Sequence, residues 1–141
     1  ASVAVRTAYL DQHVALLEPH ETLLEAWLRL NPHAAPNQAQ AALARFLFRN
    51  AAVHARINAL SGGERLRAAL ACVLTGPEPA QLLILDEPAN HLDLDSMEAL
   101  ETALRHYDGA LVVVSHDEDF LAAIGVTQTL HLAPPDPVVG Q

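Results

Sequence analysis

Hydrophobic residues along this chain follow two rhythms, a 3.6-residue period and short unbroken runs, and their alternation predicts the order of elements. The segment VAVRTAYL (3–10) is rich in β-branched and aromatic residues, predicting a strand that leads into Asp11 and Gln12. In ETLLEAWLRL, Leu23, Leu24, Trp27, Leu28 and Leu30 recur at helical spacing until NPHAAPN breaks the run. A second helix opens at Pro36 or Asn37, with Ala39, Ala42, Leu43, Phe46 and Leu47 on one face. A third begins at Ser61, where Ser61 and Glu64 have the spacing of a capping box and Leu66, Ala69, Leu70, Val73 and Leu74 form the expected buried stripe.

After TGPEPAQ the pattern changes. LLILD (82–86) is a continuous apolar run closed by a carboxylate, which predicts a strand covered on both faces in a parallel sheet. A helix is expected from Asp95 to Tyr107, with Met97, Leu100, Leu104 and Tyr107 inward. ALVVVSHD (110–117) repeats the buried strand with a polar tip, DEDFLAAI predicts a short helix, TQTLHL (127–132) a last strand, and APPDPVVGQ a loop tail. Strands alternating with helices predict an α/β fold, a mostly parallel sheet with an inserted helical block.

Composition narrows the class. With 141 residues, 51% of them hydrophobic, the chain is long enough for one domain with a real core. A formal charge of −9 argues against broad electrostatic binding to nucleic acid. Arg45, Arg49, Arg56, Arg65 and Arg67 form either a local basic patch or a solvated helix face. The single cysteine, Cys72, excludes an internal disulfide and fits a small buried residue. No apolar run reaches the length of a membrane span and no leader opens the chain, so a cytoplasmic location is expected, and a start in ASVAV without Met predicts a processed or excised piece.

In doubly wound sheets ligands bind beyond the carboxyl ends of the strands, where the first three predicted strands here carry polar tips: Gln12, then Asp86 and Glu87, then Ser115 and His116. Adjacent carboxylates at a strand exit diverge, so one can hold a metal-bound water and the other face a separate water, as phosphoryl transfer to water requires. Alternatively DEP simply turns the chain, with Pro88 fixing the exit, and His116 is a tolerated loop-edge histidine. The eight histidines lack zinc-site spacing. The serine and paired glycines of LSGGE (60–64) supply bare backbone at a helix start, suited to an anion, but the chain contains no lysine and no G-x-x-x-x-G-K-[ST] loop.

Taken together, LSGGE (60–64), LLILDEPANHLD (82–93), VVVSHD (112–117) and the glutamine after the first strand resemble the signature, Walker B with D-loop, switch histidine and Q-loop of an ATP-binding cassette (ABC) ATPase, over about Ala4 to Leu132. DEPANHLD further resembles the ABC-F class of soluble twin-cassette ATPases that act on ribosomes, although Ala89 stands where that class usually has threonine. The resemblance implies a partial P-loop NTPase (ABC ATPase) fold with an inserted helical subdomain. Residues 21–75 would be that subdomain, 1–20 and 76–132 parts of the core, and 133–141 a tail.

It also implies roles. Ser61, Gly62 and Gly63, with Glu64 beside them, would face the γ-phosphate of an ATP held mainly by a second cassette. Asp86 would support Mg²⁺ through water, Glu87 polarise the hydrolytic water, His116 contact the γ-phosphate, Gln12 sense Mg²⁺ and that water, and Asp93 link the two sites. In the family the Walker A loop precedes the Q-loop, so the chain is expected to be the C-terminal two thirds of one cassette. Alone it would bind ATP weakly or not at all, not hydrolyse it, and self-associate through unpaired strand edges. The ribosome is the partner expected for an ABC-F parent; the alternatives are the ATPase subunit of a membrane transporter and a truncated, non-hydrolysing interaction module.

Overall fold

A computed structural model describes residues 4–90 and 92–130. Three strands, β1 (Thr7–Leu10), β2 (Leu82–Asp86) and β3 (Ala110–Val114), form one parallel sheet in the order β1-β2-β3. Parallel neighbours require long crossovers. The first carries α1 (Leu23–Leu30), α2 (Pro36–Arg45), two 3-10 turns (Asn50–His54 and Ile57–Ala59) and α3 (Gly62–Leu74); the second is α4 (Leu94–Arg105), and α5 (Glu118–Ala123) follows β3.

The register sets which strand residues share a face. Ala8, Leu83 and Leu111 align, as do Leu10, Leu85 and Val113, and this face packs into the core with Leu66, Leu70, Leu100 and Leu104 of α3 and α4. The alternate positions, among them Tyr9, Ile84 and Val112, lie on the other face, where Tyr9, Val112 and Val114 are each about half exposed. This corrects the expectation of strands covered on both faces: among the described residues the helices cover one side of the sheet, and the apolar runs supply an open second side.

Helix α3 departs from its expected stripe in the other direction. Its residues Ala68 to Cys72 are buried consecutively, whereas Val73 and Leu74 are only partly so. Alanines between the leucines let α1, α2, α4 and β1 all approach it, so it is enclosed on most sides. Trp27 of α1 is fully buried against it, its indole N–H donating to the Ala71 carbonyl at 3.1 Å and to Thr75 Oγ1 at 2.9 Å.

Other differences are local. The first strand begins only at Thr7, and residues 1–3 lie outside the described part. Helix α2 ends at Arg45: Phe46 is buried beyond its end, but Leu47 adopts φ +73° and is exposed, so it is not a core position. The segment 127–130 carries no strand, and 131 and 132, the end of the predicted last strand, lie outside the described residues with the tail. One of the five clustered arginines, Arg67, belongs to neither patch nor solvated face; Arg56 stays exposed and Arg65 is half-buried. Arg56 donates to the His20 carbonyl, Arg65 to that of Ile57, and Arg67 is buried. Cys72 is buried as expected, and desolvation pushes its thiol pKa up to about 12.

Candidate functional site

The exit of β2 is built by an unusual backbone. The Glu87 N–H donates to the Val114 carbonyl at 2.8 Å, extending the sheet by one bond, while Glu87 itself adopts φ +50°. A non-glycine residue held in this left-handed region costs about 1–3 kcal/mol, and such strain concentrates at functional sites. The bend separates the neighbouring carboxylates. Asp86 accepts a hydrogen bond from the Tyr9 hydroxyl at 3.0 Å, on the open face of the sheet. Glu87 is directed to the tip of β3, where its Oε1 lies 3.4 Å from His116 Nε2. A cavity of about 470 Å³ lies between the two strand exits, lined by Glu87, Ala89, Asn90, Ser115, His116 and Asp117. His116 is almost wholly exposed and Glu87 about one-third exposed, so the pair opens to a ligand.

Gln12 lies in the exposed turn after β1, at the same end of the sheet, but does not line that cavity. Its turn is ordered by Asp11, whose Oδ1 accepts from the N–H groups of His13 (3.0 Å) and Val14 (3.1 Å). A larger cavity of about 1180 Å³ opens at the amino ends of the strands, beside Arg6, Gln81 and Gly109, and none of the predicted site residues lines it. The smaller cavity is the candidate, because parallel sheets present ligand sites at their carboxyl ends.

The second group stands at the start of α3. Ser61 Oγ accepts from the Glu64 N–H at 3.2 Å and Glu64 Oε1 accepts from the Ser61 N–H at 2.9 Å, completing the predicted capping box. The two glycines differ. A Cβ on Gly62 would meet nothing within 4 Å, so its backbone stands open; one on Gly63 would lie 2.8 Å from Ser96 Oγ and 3.2 Å from Asp93 Oδ1. Asp93 caps α4 by accepting from the Ser96 N–H at 3.3 Å, and hydrogen bonding by Ser96 holds its carboxyl below the ordinary range. The structure therefore brings Gly63 into close packing with Asp93 and Ser96, at the start of a helix that also carries Ser61, Gly62 and Glu64. Glu87 and His116 form a separate group, with Asp86 beside Tyr9 on the open face of the sheet.

Among the described residues no cluster of three or more His, Cys, Asp or Glu side chains is arranged to hold a metal. Magnesium in phosphoryl-transfer sites uses one or two carboxylates and completes its shell with phosphate and water, and Asp86, bonded through one oxygen, fits that demand. Sequence reasoning missed Tyr9, Ser96 and Arg67. The parity of β1 signals Tyr9, which falls on the open face, and helical spacing signals Arg67, which follows Gly63 by four positions.

The family model described as ABC transporter matches residues 1–90. The chain is 41% identical over 129 residues to the ATP-binding protein YdiF of Bacillus subtilis (strain 168), covering 92% of this chain and 20% of that protein. It is 38% identical to the ATP-binding protein Uup of Escherichia coli (strain K12), covering 83% of this chain and 19% of Uup. The chain thus spans about one fifth of the length of these relatives. Its fold matches the dimeric post-hydrolysis structure of the ATP-binding cassette MJ0796 bound to ADP and Pi with a TM-score of 0.64 and 25% identity, covering 84% of this chain and 56% of that one. A capped glycine helix start, a strained acid at a parallel strand exit and these similarities agree: the chain belongs to the ABC transporter family of ATP-binding cassette domains.

Proposed function

We propose that the chain is part of one cassette of an ABC-F-like ATPase, which hydrolyses ATP at sites shared between two cassettes and acts on the ribosome. The observation that carries the chemistry is the Glu87 to His116 approach of 3.4 Å across an open cavity at the carboxyl end of the sheet. Glu87 would take the proton of the attacking water as ATP and water give ADP and phosphate, and its φ of +50° directs it away from Asp86. His116, exposed at the β3 tip, would contact the γ-phosphate. Asp86, with Gln12, would hold Mg²⁺ through water, supplying charge neutralisation on the phosphates. Ser61, Gly62 and Gly63 would offer hydroxyl and N–H groups to an ATP seated on the facing cassette, with Glu64 fixing their turn and Asp93 joining the sites.

On the same reading, residues 21–75 form the helical subdomain and 1–20 with 76–132 belong to the core. The dimeric cassette neighbours support a second cassette as partner, and the resemblance of the DEPANHLD run to the ABC-F class supports the ribosomal assignment. Among the described residues no helix is long and apolar enough to cross a membrane, and we assign a cytoplasmic site of action. The second reading is the ATPase subunit of a transporter, favoured by a 36% identical relative, an uncharacterized ABC transporter ATP-binding protein, YfmM of Bacillus subtilis.

To separate the two, the full-length protein carrying these residues is made with Glu87→Gln, given ATP, and centrifuged with ribosomes through a sucrose cushion. ATP-dependent retention on ribosomes is expected. Phosphate release by the unsubstituted protein with no ribosome retention of the trapped form would reject the ribosomal assignment while leaving the ATPase.

A further inference from the structure

Arg67 is a charged residue only 8% exposed, and no step of hydrolysis uses it. Its Nε donates to Ser96 Oγ at 3.1 Å, an Nη donates to the Phe46 carbonyl at 3.1 Å, and the guanidinium lies 4.9 Å from the centre of the Phe48 ring. Ser96 is itself 1% exposed and bonds onward to Asp93. One polar chain thus runs from the end of α2, through α3, to the residue that caps α4. At its α3 end, Gly63 leaves no side chain between the first turn of the helix and Ser96.

Burying a guanidinium is expensive unless its donors are satisfied, and an apolar filling of the same space is often at least as stable. What a hydrogen-bonded arginine adds is fixed geometry: its planar fork sets the spacing and rotation of whatever it joins. Joined here are the start of the signature helix and the start of α4, the two segments that face a partner cassette in the function proposed above.

We infer that Arg67 and Ser96 are positioning residues that lock the Asp93 carboxylate to the Ser61–Gly63 turn, so that both reach a facing cassette as one rigid unit. The inference rests on the proposed roles of Ser61 and Asp93. Loss of either link leaves each segment folded but free to shift relative to the other, so closure around ATP demands more nucleotide.

The test uses the full-length protein carrying the cassette, with Glu87→Gln to prevent turnover and fluorophores on the two cassettes to report ATP-driven closure. Ser96→Ala and Arg67→Lys are each expected to raise the ATP concentration for half-closure about tenfold, the effect of losing one charge-assisted hydrogen bond. The double variant is expected to go no further than the worse single, because both break one chain. Melting temperature is measured alongside, and Ser96→Ala, which removes a single oxygen, keeps the test valid should Arg67→Lys fold poorly. Normal closure in Ser96→Ala, or additive losses that follow melting temperature, would overturn the inference. Ser61→Arg is the control for the reading beneath it: if it also closes normally, the signature role is wrong; if it alone blocks closure, only the Arg67–Ser96 link is.

Discussion

Adding one methyl group to each glycine of the pair should move stability in opposite directions. At Gly62, exposed in the first turn of α3, a Cβ meets nothing within 4 Å. Its φ is not in the left-handed region, so alanine removes backbone entropy from the unfolded chain without strain, stabilising by about 0.5–1 kcal/mol. At Gly63 the same entropic gain meets a Cβ 2.8 Å from Ser96 Oγ, 3.1 Å from Ser96 Cβ and 3.2 Å from Asp93 Oδ1. Ser96 is held by Arg67 and has nowhere to withdraw, so overpacking of about 1–3 kcal/mol outweighs the gain. Gly62→Ala should therefore raise, and Gly63→Ala lower, the urea midpoint of the 141-residue chain, with melting shifts of about 3 °C per kcal/mol. Function should not follow stability: in the full-length protein Gly62→Ala puts a methyl group where the γ-phosphate would approach, weakening ATP-driven closure while the fold is firmer. Stability shifts of the same sign for both variants would refute the packing argument.

Further expectations concern the core and the site. Trp27 is the only tryptophan, so its emission should be blue-shifted in the native chain and move to the red on unfolding; Trp27→Phe, which leaves Thr75 Oγ1 and a small void without the indole, should cost about 1–3 kcal/mol in denaturant titrations. Burial raises the Cys72 thiol from 9.0 to about 12, so the unfolded chain loses this proton first as pH rises. Its stabilising contribution is full below about pH 9 and drains away toward pH 12, a decline that Cys72→Ala should lessen in pH-dependent unfolding, and thiol reagents at neutral pH should label Cys72 only after unfolding. If the parent holds two cassettes in one polypeptide, Glu87→Gln and Ser61→Arg in this cassette damage different sites, so phosphate release by the double variant should fall below either single. A double variant no worse than its worse single would place both residues at one site.

Much of the architecture is legible because local signals coincide with tertiary demand. The capping box at Ser61 and Glu64 fixes the start of α3 from four letters, and the apolar runs ending at Asp86 and Val114 mark strands whose polar followers can only lie at the carboxyl edge. What fails is whatever depends on the far side of a surface. LLILD has the same composition whether the second face of the sheet is covered by this chain or not, so Val112 and Val114 read as buried and are half exposed. The 3-10 turns over Asn50–His54 and Ile57–Ala59 are too short to show a period. Arg67 looks like an interruption of an apolar stripe, and only the positions of Phe46, Phe48 and Ser96, distant in sequence, turn it into a buried hub. At the site, residue types are readable but the turn at Glu87 that separates its carboxyl from that of Asp86 is not, since nothing in DEP requires a left-handed acid.

The placement of the two groups of proposed site residues bears on how such a cassette would work. Glu87 and His116 share one cavity at the sheet edge, whose lining excludes Ser61, Gly62 and Gly63. Those residues sit instead at the start of a helix locked to Asp93 and Ser96. A hydrolytic acid and a phosphate clamp that belonged to one nucleotide would line one cleft. On the function proposed above, an acid and a clamp divided between two places fit a two-fold exchange in which each cassette offers its clamp to the nucleotide on the other. On that reading any motion that brings one clamp to its phosphate brings the other, and the role inferred for the buried Arg67–Ser96 link is to keep the Ser61–Gly63 turn and Asp93 together.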